Sequence, residues 1–279
     1  MDPVQKALWF VESHSRESLS LENIAETCNV SAFHLTRAFS ALTGRSLMRY
    51  VRARRLSEAA RQLAAGADDI LAVALDAGYG SHEAFTRAFR DLFFLTPEQV
   101  RAQGHLNNIP IVEAIAMNAN PIELPALAAP RFETLAGLLV AGLVKRYDCQ
   151  SPAGIPDQWQ RFNQYFGHLP GQIGNVAYGV CYNFDGEGNF DYLAGAEINT
   201  AAELPKEFQS LTIPAHKYVV FHHPDHVASI RATFTAIWSH WFPASGYQAA
   251  NAPTLERYGP EFNPLTGTGG LEIWIPIED

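Results

Sequence analysis

An arginine-containing pentapeptide occurs twice in the first hundred residues. Residues 35–39 have the sequence Leu-Thr-Arg-Ala-Phe, and residues 85–89 have the sequence Phe-Thr-Arg-Ala-Phe. The apolar positions of each copy share one side of a helix, so Arg37 and Arg87 fall on the other side. An arginine placed there can donate two hydrogen bonds to O6 and N7 of a guanine. The repeat predicts two helices that read DNA bases, although an outward arginine can equally be only solvated.

The candidate DNA-binding residues are the outward positions of these two helices and the arginines that lie between them. They are Phe33, His34, Thr36, Arg37, Ser40, Arg45, Arg49, Arg52, Arg55, His82, Glu83, Thr86, Arg87 and Arg90. The arginines of this set between the helices are expected to contact phosphates, which sets register without reading sequence. Glu83 can accept a bond from cytosine N4, or it can orient Arg87 from one turn away. Arg54 can contact phosphate or pair with an acid inside the domain.

The distribution of charge favours DNA binding by the first part of the chain, although the formal net charge is −9. Residues 1–104 carry 12 basic and 12 acidic side chains, whereas residues 105–279 carry 8 and 17. Between His34 and Arg61 there are seven arginines and a single acid, Glu58. Because phosphate contacts depend on the local patch, the acidic total does not exclude DNA as a partner.

Two glutamates in the second half suggest a site for an organic cation. Glu197 and Glu272 each precede an isoleucine in a Gly-x-Glu-Ile segment, and each segment follows an aromatic-rich helical pattern. A buried carboxylate is costly without a partner, and aromatic rings attract cations. The candidate ligand-binding residues are Glu272, Glu197, Trp159, Tyr182, Trp238, Trp241 and Tyr258. Glu272 can instead face solvent, because strands alternate, and such aromatic residues are more often part of a core.

Motifs for metal, cofactor or nucleophilic chemistry are weak or absent in the sequence. His222, His223 and His226 form a cluster, but adjacent histidines on a strand point to opposite faces and no second cluster supplies further ligands. The sequence contains no Gly-rich phosphate-binding loop and no Gly-x-Ser-x-Gly motif. We therefore expect no metal, no cofactor and no catalytic residue.

Composition narrows the class of protein further. The apolar share of 47% is typical of a globular chain and excludes disorder as the dominant state. No apolar run approaches the roughly 18 residues of a membrane span, so we expect no membrane partner. Three widely spaced cysteines do not form a disulfide framework, and no secretory signal is visible. These features predict a cytoplasmic protein.

Capping residues and turns predict the elements that position these side chains. Ser20, Ser31 and Ser81 can each cap a helix, and Thr96 followed by Pro97 begins a last short one. We therefore expect an all-α domain with two helix-turn-helix motifs at 1–104 and a Pro-containing linker at 105–120. The strand-rich remainder, 121–279, is expected to be an α+β domain with a pseudo-duplicated antiparallel sheet.

Residues 19–101 resemble the DNA-binding domain of the AraC/XylS transcription regulators. The resemblance rests on Leu19-Ser20-Leu21-Glu22-Asn23-Ile24-Ala25, Ser31-x-x-His34-Leu35-x-Arg37-x-Phe39, Thr43-Gly44-x-Ser46, Tyr50-x-Arg52-x-Arg54-Arg55-Leu56, Gly78-Tyr79, Thr86-Arg87-x-Phe89 and Thr96-Pro97. It implies two recognition helices that enter successive major-groove segments on one face of the DNA.

Residues from about 120 to 279 resemble the GyrI-like small-molecule-binding domain. The matching segments are Ile213-Pro214-Ala215, Tyr218-Val219-Val220-Phe221, Trp241-x-Pro243-x-Ser245-Gly246-Tyr247, Glu256-Arg257-Tyr258 and Glu272-Ile273-Trp274-Ile275-Pro276-Ile277. The order of the two domains is that of Rob-type regulators. In such domains a carboxylate among aromatic residues often meets organic cations or other flat molecules.

The resemblances imply a DNA-binding transcription regulator that senses a small, aromatic or cationic molecule. Its partners would be double-stranded DNA and the effector, with RNA polymerase as a further candidate. The alternative is that the second domain hydrolyses a reactive compound with a pocket carboxylate as general base, which requires a tuned pKa and a positioned water. The fused DNA-binding domain favours sensing.

Overall fold

The computed structural model describes residues 2–15, 17–115, 124–149, 152–199 and 204–278. Residues 116–120 of the expected linker lie outside the described residues. In the described residues, no helix is long and apolar enough to cross a membrane.

Seven helices in the described residues precede the first strand. They are α1 (Pro3–Ser13), α2 (Leu21–Cys28), α3 (Ala32–Thr43), α4 (Leu47–Ala64), α5 (Ile70–Asp76), α6 (His82–Phe93) and α7 (Pro97–Gln103). The hydroxyls of Ser20, Ser31 and Ser81 accept bonds from the first turns of α2, α3 and α6, as the sequence predicts. Thr96 and Gln99 form a capping box at α7. Helix α1 is not predicted by these capping patterns.

The later part of the described chain is one mixed region of strands and short helices. Its strands are β1 (Arg131–Leu135), β2 (Leu138–Asp148), β3 (Gln172–Tyr182), β4 (Asn189–Ile198), β5 (Phe208–Ile213), β6 (His216–His223), β7 (Thr254–Tyr258) and β8 (Leu271–Pro276). Its helices are α8 (Ile155–Phe162), α9 (Ile230–Ala236), a π-helical turn (Ile237–Trp241) and α10 (Phe242–Ser245). Within the described residues the strands form one antiparallel sheet in the order β1-β6-β8-β7-β3-β4-β2-β5. The expected α+β domain with an antiparallel sheet is confirmed.

Contacts divide the chain into two compact units. The first comprises mainly Gln5–Asn29 and Leu47–Pro121, and its core includes Phe85, Phe89 and Phe93 of α6. The second comprises Asp2–Val4, Val30–Ser46 and Ile122–Asp279, so it contains both α3 and the sheet. The units group residues by their contacts and do not define domain boundaries. The domain limits 1–104, 105–120 and 121–279 therefore remain predictions.

The sheet of the second unit has two faces that differ in chemistry. Residues paired across antiparallel strands share a face, and neighbours along a strand alternate. The face that we call the Glu256 face carries Gly179, Cys181, Tyr192, Glu256 and Ile273. The face that we call the Glu272 face carries Tyr178, Glu197, Arg257, Glu272 and Trp274. Glu256 and Glu272 therefore lie on opposite sides of the sheet.

Candidate functional site

A buried carboxylate, that of Glu256, lies among aromatic side chains on the Glu256 face. Tyr192 and Tyr258 donate their hydroxyl hydrogens to Oε2 of Glu256 at 2.6 Å and 3.0 Å. The indole Nε1 of Trp159 donates to the Tyr192 hydroxyl at 2.9 Å, and the Trp159 and Tyr258 rings lie 4.7 Å apart, edge to face. The hydrogen bonds fix the carboxylate at one position, and the rings exclude water from it.

The strand beside Glu256 must carry a glycine to leave room for this arrangement. Gly179 on β3 is directly opposite Glu256 on β7. A Cβ atom at position 179 would overlap the Tyr192 hydroxyl and lie 2.7 Å from Oε2 of Glu256. Any larger residue at position 179 would therefore displace the carboxylate or its tyrosine.

Burial sets the electrostatics of Glu256. Only 8% of the residue is exposed, and this burial raises the pKa of its carboxyl. Hydrogen bonds from Tyr192 and Tyr258 and the charge of Arg37 act in the opposite direction without cancelling it. Because a carboxylate is poorly solvated here, a cation that reaches it gains more than it would in water. The arrangement suits recognition of an organic cation.

Arg37 of α3 lies within this aromatic region of the second unit. Its guanidinium carbon Cζ is 4.2 Å from the centroid of the Phe184 ring and 5.8 Å from that of Trp238. Its Nε atom is buried and has no hydrogen-bond partner among the described residues. Burial lowers the pKa of Arg37, and the charge of Glu256 acts in the opposite direction. The first of the two repeated arginines therefore lies close enough to Glu256 for their charges to interact, without a direct ion pair between them in the described residues.

The rest of the predicted base-reading face of α3 also packs within the second unit. The His34 ring is 5.3 Å from the Trp238 ring and 5.1 Å from the Phe242 ring, and burial lowers the pKa of His34 to about 4. Phe33 lies edge to face with Phe184, with 5.7 Å between the ring centroids.

The other two predicted residues of α3, Thr36 and Ser40, also have internal partners. Thr36 is buried and donates to the Ala32 carbonyl, and the Ser40 hydroxyl is 3.7 Å from Sγ of Cys149.

The second copy of the repeat, on α6, has a different environment. Glu83, Arg87 and Arg90 are exposed, Thr86 is half-buried, and His82 is 3.1 Å from a carboxylate oxygen of Glu98. The backbone N–H of Glu83 and the Ser81 hydroxyl hold the pKa of the Glu83 carboxyl below its ordinary value. Arg87 and Arg90 are thus available to solvent.

The arginines around and along α4 differ in exposure. Arg45 and Arg52 are exposed, and Arg49 is half-buried. Arg55 donates to the backbone carbonyls of Ser15 and Glu17. Arg54 pairs through two nitrogens with the carboxylate of Glu12, at 2.9 Å and 2.8 Å, which resolves its two interpretations in favour of an internal ion pair.

Glu272 lies on the Glu272 face and has cationic partners there. Its oxygens accept from Arg131 at 2.7 Å and from Arg257 at 3.3 Å, and Trp274 Nε1 donates at 3.0 Å. Burial opposes ionisation, but these bonds and charges outweigh it, so the pKa of Glu272 is lowered. Two arginines already neutralise this carboxylate.

The structure separates the remaining predicted ligand residues into groups. Glu197 shares the face of Glu272. Burial, together with the charges of these two glutamates, raises the pKa of Tyr178 on that face. Tyr182 packs on the same side. Trp159, Tyr258 and, beside Arg37, Trp238 lie on the side of Glu256. A further predicted residue, Trp241, stacks on Tyr247 at 6.0 Å.

The histidines of the region do not form a metal site in the described residues. His223 is buried against the Thr233 hydroxyl at 2.8 Å, and no group of three His, Cys, Asp or Glu suited to a metal occurs in the described part of the chain. The sequence prediction did not select Glu256, Tyr192 or Phe184. The available signal was the Glu256-Arg257-Tyr258 segment, in which neighbouring charges must point to opposite faces.

Comparison with protein families identifies both parts of the chain. The GyrI-like small molecule binding domain matches residues 128–278, and a helix-turn-helix domain family matches residues 24–103.

Full-length relatives share both parts. The chain is 27% identical to the transcriptional regulator Rob of Salmonella typhimurium, and the match covers 98% of this chain and 97% of Rob. The same identity and coverage hold for the right origin-binding protein of Escherichia coli K12.

A further relative matches only part of the chain. The multiple antibiotic resistance protein MarA of Salmonella typhimurium is 34% identical over 35% of this chain and 77% of its own length.

Proposed function

The chain belongs to the GyrI-like small-molecule-binding domain family and carries an AraC-type DNA-binding domain, and from that premise we propose that it is a transcription regulator that senses an organic cation through Glu256. The main support for this proposal is the buried Glu256 carboxylate, which Tyr192 and Tyr258 hold among aromatic rings. The regulatory names of the full-length relatives favour a sensor over the hydrolase alternative. DNA would be bound in the cytoplasm, and RNA polymerase stays a candidate partner.

The charge of Glu256 and the aromatic rings around it favour a flat or aromatic cation. Ring faces attract a cation by about 0.5–2 kcal/mol each, with the larger values where water is excluded. The carboxylate adds an attraction that neutral molecules of the same shape lack. Glu256 is preferred to Glu272 for this role because Arg131 and Arg257 already neutralise Glu272.

Calorimetric titration of the full-length protein tests this assignment. Tetraphenylphosphonium is a suitable probe because it is a large aromatic cation, and triphenylphosphine oxide is a neutral molecule of related shape. We expect Glu256→Gln to weaken binding of the cation by about 10-fold or more, equivalent to about 1.4 kcal/mol. Binding of the neutral compound should change much less, because amide and carboxylate have almost the same shape.

Glu272→Gln is the matched variant on the other face of the sheet. It makes the same Glu-to-Gln change, so comparing the two variants shows whether Glu256 or Glu272 binds the cation. A larger loss of cation binding with Glu272→Gln would move the site to the Glu272 face. Equal losses for the cation and the neutral compound in Glu256→Gln would contradict a charge-based site.

A further inference from the structure

The guanidinium of Arg37 is held in the manner of a bound organic cation. It lies over the face of Phe184, with Phe234 and Trp238 at 5.9 Å and 5.8 Å from Cζ. Glu256 lies close enough for each group to shift the pKa of the other. A cation over aromatic faces beside a buried carboxylate is the combination that the proposed effector would use.

Arg37 is half-buried, and one of its three guanidinium nitrogens, Nε, is buried without a hydrogen-bond partner in the described part of the chain. Buried arginines that stabilise a fold are normally paired through two nitrogens, as Arg54 is with Glu12. The Nε of Arg37, both ring nitrogens of His34 and Nε1 of Trp238 are buried without a hydrogen-bond partner among the described residues. A buried polar atom without a partner destabilises the packed arrangement. These atoms therefore favour exchange of the α3 packing for another ligand.

The same contact covers the helix face that would read DNA. Thr235 Oγ1 donates to the carbonyl of Ala41 at 3.1 Å, and Ser46 Oγ donates to that of Gly186 at 3.1 Å. A recognition helix places its exposed side chains in the major groove. The Arg37 side of α3 cannot lie against Phe184 and against base edges at the same time.

We propose that Arg37 is an internal competitor for the effector site: its guanidinium occupies the cation position beside Glu256, and an organic cation that takes this position releases α3 for DNA. This mechanism rests on the proposed function, namely cation sensing by the sheet and DNA reading by α3. Linkage requires the effect to be reciprocal. DNA that engages α3 must raise the affinity for the cation by the same factor by which the cation raises the affinity for that DNA.

Titration of the full-length protein with tetraphenylphosphonium tests the competition. Removing the competitor with Arg37→Ala should tighten cation binding by about 10-fold or more, since the site is then available in a larger fraction of molecules. Arg37→Lys keeps a cation at this position and should remain close to the wild-type affinity. Arg161→Ala is a matched control because Arg161 is an exposed arginine of the same unit that pairs with Glu207; its affinity should equal that of the wild type.

A second measurement uses unmodified protein and so does not depend on a variant folding. A duplex selected in vitro for binding to the wild type should raise tetraphenylphosphonium affinity severalfold, and a random duplex should not. Unchanged or weaker cation binding by Arg37→Ala, or a selected duplex without effect, would overturn the competition while leaving the sensor intact. Absence of cation binding by the wild type and by Arg37→Ala would instead overturn the proposed function and the competition with it.

Discussion

Helices α3 and α6 contain nearly the same pentapeptide and the same serine cap, but their arginines have opposite environments. Arg37 lies over the ring of Phe184, whereas Arg87 is exposed. The internal side of each helix is alike, since Leu35 and Phe39 are fully buried, as are Phe85 and Phe89. The repeated apolar residues thus predict how each helix packs on its own core. They do not predict what covers the opposite side, which holds Arg37 or Arg87 and must be exposed for the helix to read DNA.

The largest expected difference between the two helices is in DNA affinity without effector. Arg87→Ala should weaken binding to a selected duplex by about 1–3 kcal/mol, because an exposed arginine loses its contact with a base. Arg37→Ala should change the affinity much less, since the lost base contact is offset by release of α3. Fluorescence anisotropy with the full-length protein measures both affinities.

Saturating tetraphenylphosphonium should remove this asymmetry, so that both substitutions then weaken specific binding to a similar extent. A loss that is equal on selected and random DNA would reassign the arginine concerned to phosphate contacts. Equal losses from the two substitutions without effector would show that α3 already reads DNA in that state.

Acidification should selectively weaken the packing of α3, because His34 is buried as the neutral ring. Its pKa is lowered to about 4 from an ordinary value of 6.5, so the packed state binds fewer protons than the released state between these values. Stabilisation from packing is therefore complete above about pH 6.5 and is lost as the pH falls toward 4. At pH 5.5 the packing equilibrium should fall by about 10-fold, or about 1.4 kcal/mol.

An NMR titration of the His34 ring, assigned with His34→Leu, measures this shift. The ring should titrate near 4 in the protein without effector and nearer 6.5 when tetraphenylphosphonium is bound. A pKa near 6.5 in both conditions would contradict a buried His34 and the packing of α3.

The smallest expected effect concerns phosphate contact by α4, which should be the same whether or not α3 is released. Arg52 is exposed, whereas Arg54 is held by Glu12. Arg52→Ala should make the slope of log affinity against log salt concentration shallower by about 0.9, both with and without effector. An unchanged slope would assign Arg52 to internal structure, and a change that depends on the effector would link α4 to the release of α3.

The local signals for the fold were readable from the sequence, but the pairing of distant residues was not. Serine caps and a Thr-Pro start predicted α2, α3, α6 and α7, because those interactions lie within one turn of the chain. Helix α1 was missed although the same local chemistry marks it: the Asp2 carboxylate accepts from the backbone N–H of Val4, and Pro3 is the first helical residue.

The candidate site was less predictable for the same reason. Alternation along β8 puts Glu272 and Trp274 on one side, but the neutralisation of Glu272 by Arg131 and Arg257 depends on the order of β1, β6, β8 and β7 in the sheet. Glu256 could not be chosen over Arg257 without knowing which face of β7 is covered. The opposing glycine at position 179 marks that face only after the register of β3 with β7 is known.

Cross-linking α3 in its packed position tests the central claim most directly. The Ser40 hydroxyl is 3.7 Å from Sγ of Cys149, so a Ser40→Cys variant brings two thiols close enough to form a disulfide under oxidation. Oxidised wild type and the Ser40→Cys, Cys149→Ser double variant are the matched controls. We predict that the oxidised Ser40→Cys variant loses tetraphenylphosphonium binding and any cation-dependent gain in DNA affinity, and that reduction restores both. Cation binding and a DNA response that persist in the cross-linked protein would contradict the claim that Arg37 on α3 and the effector exclude each other.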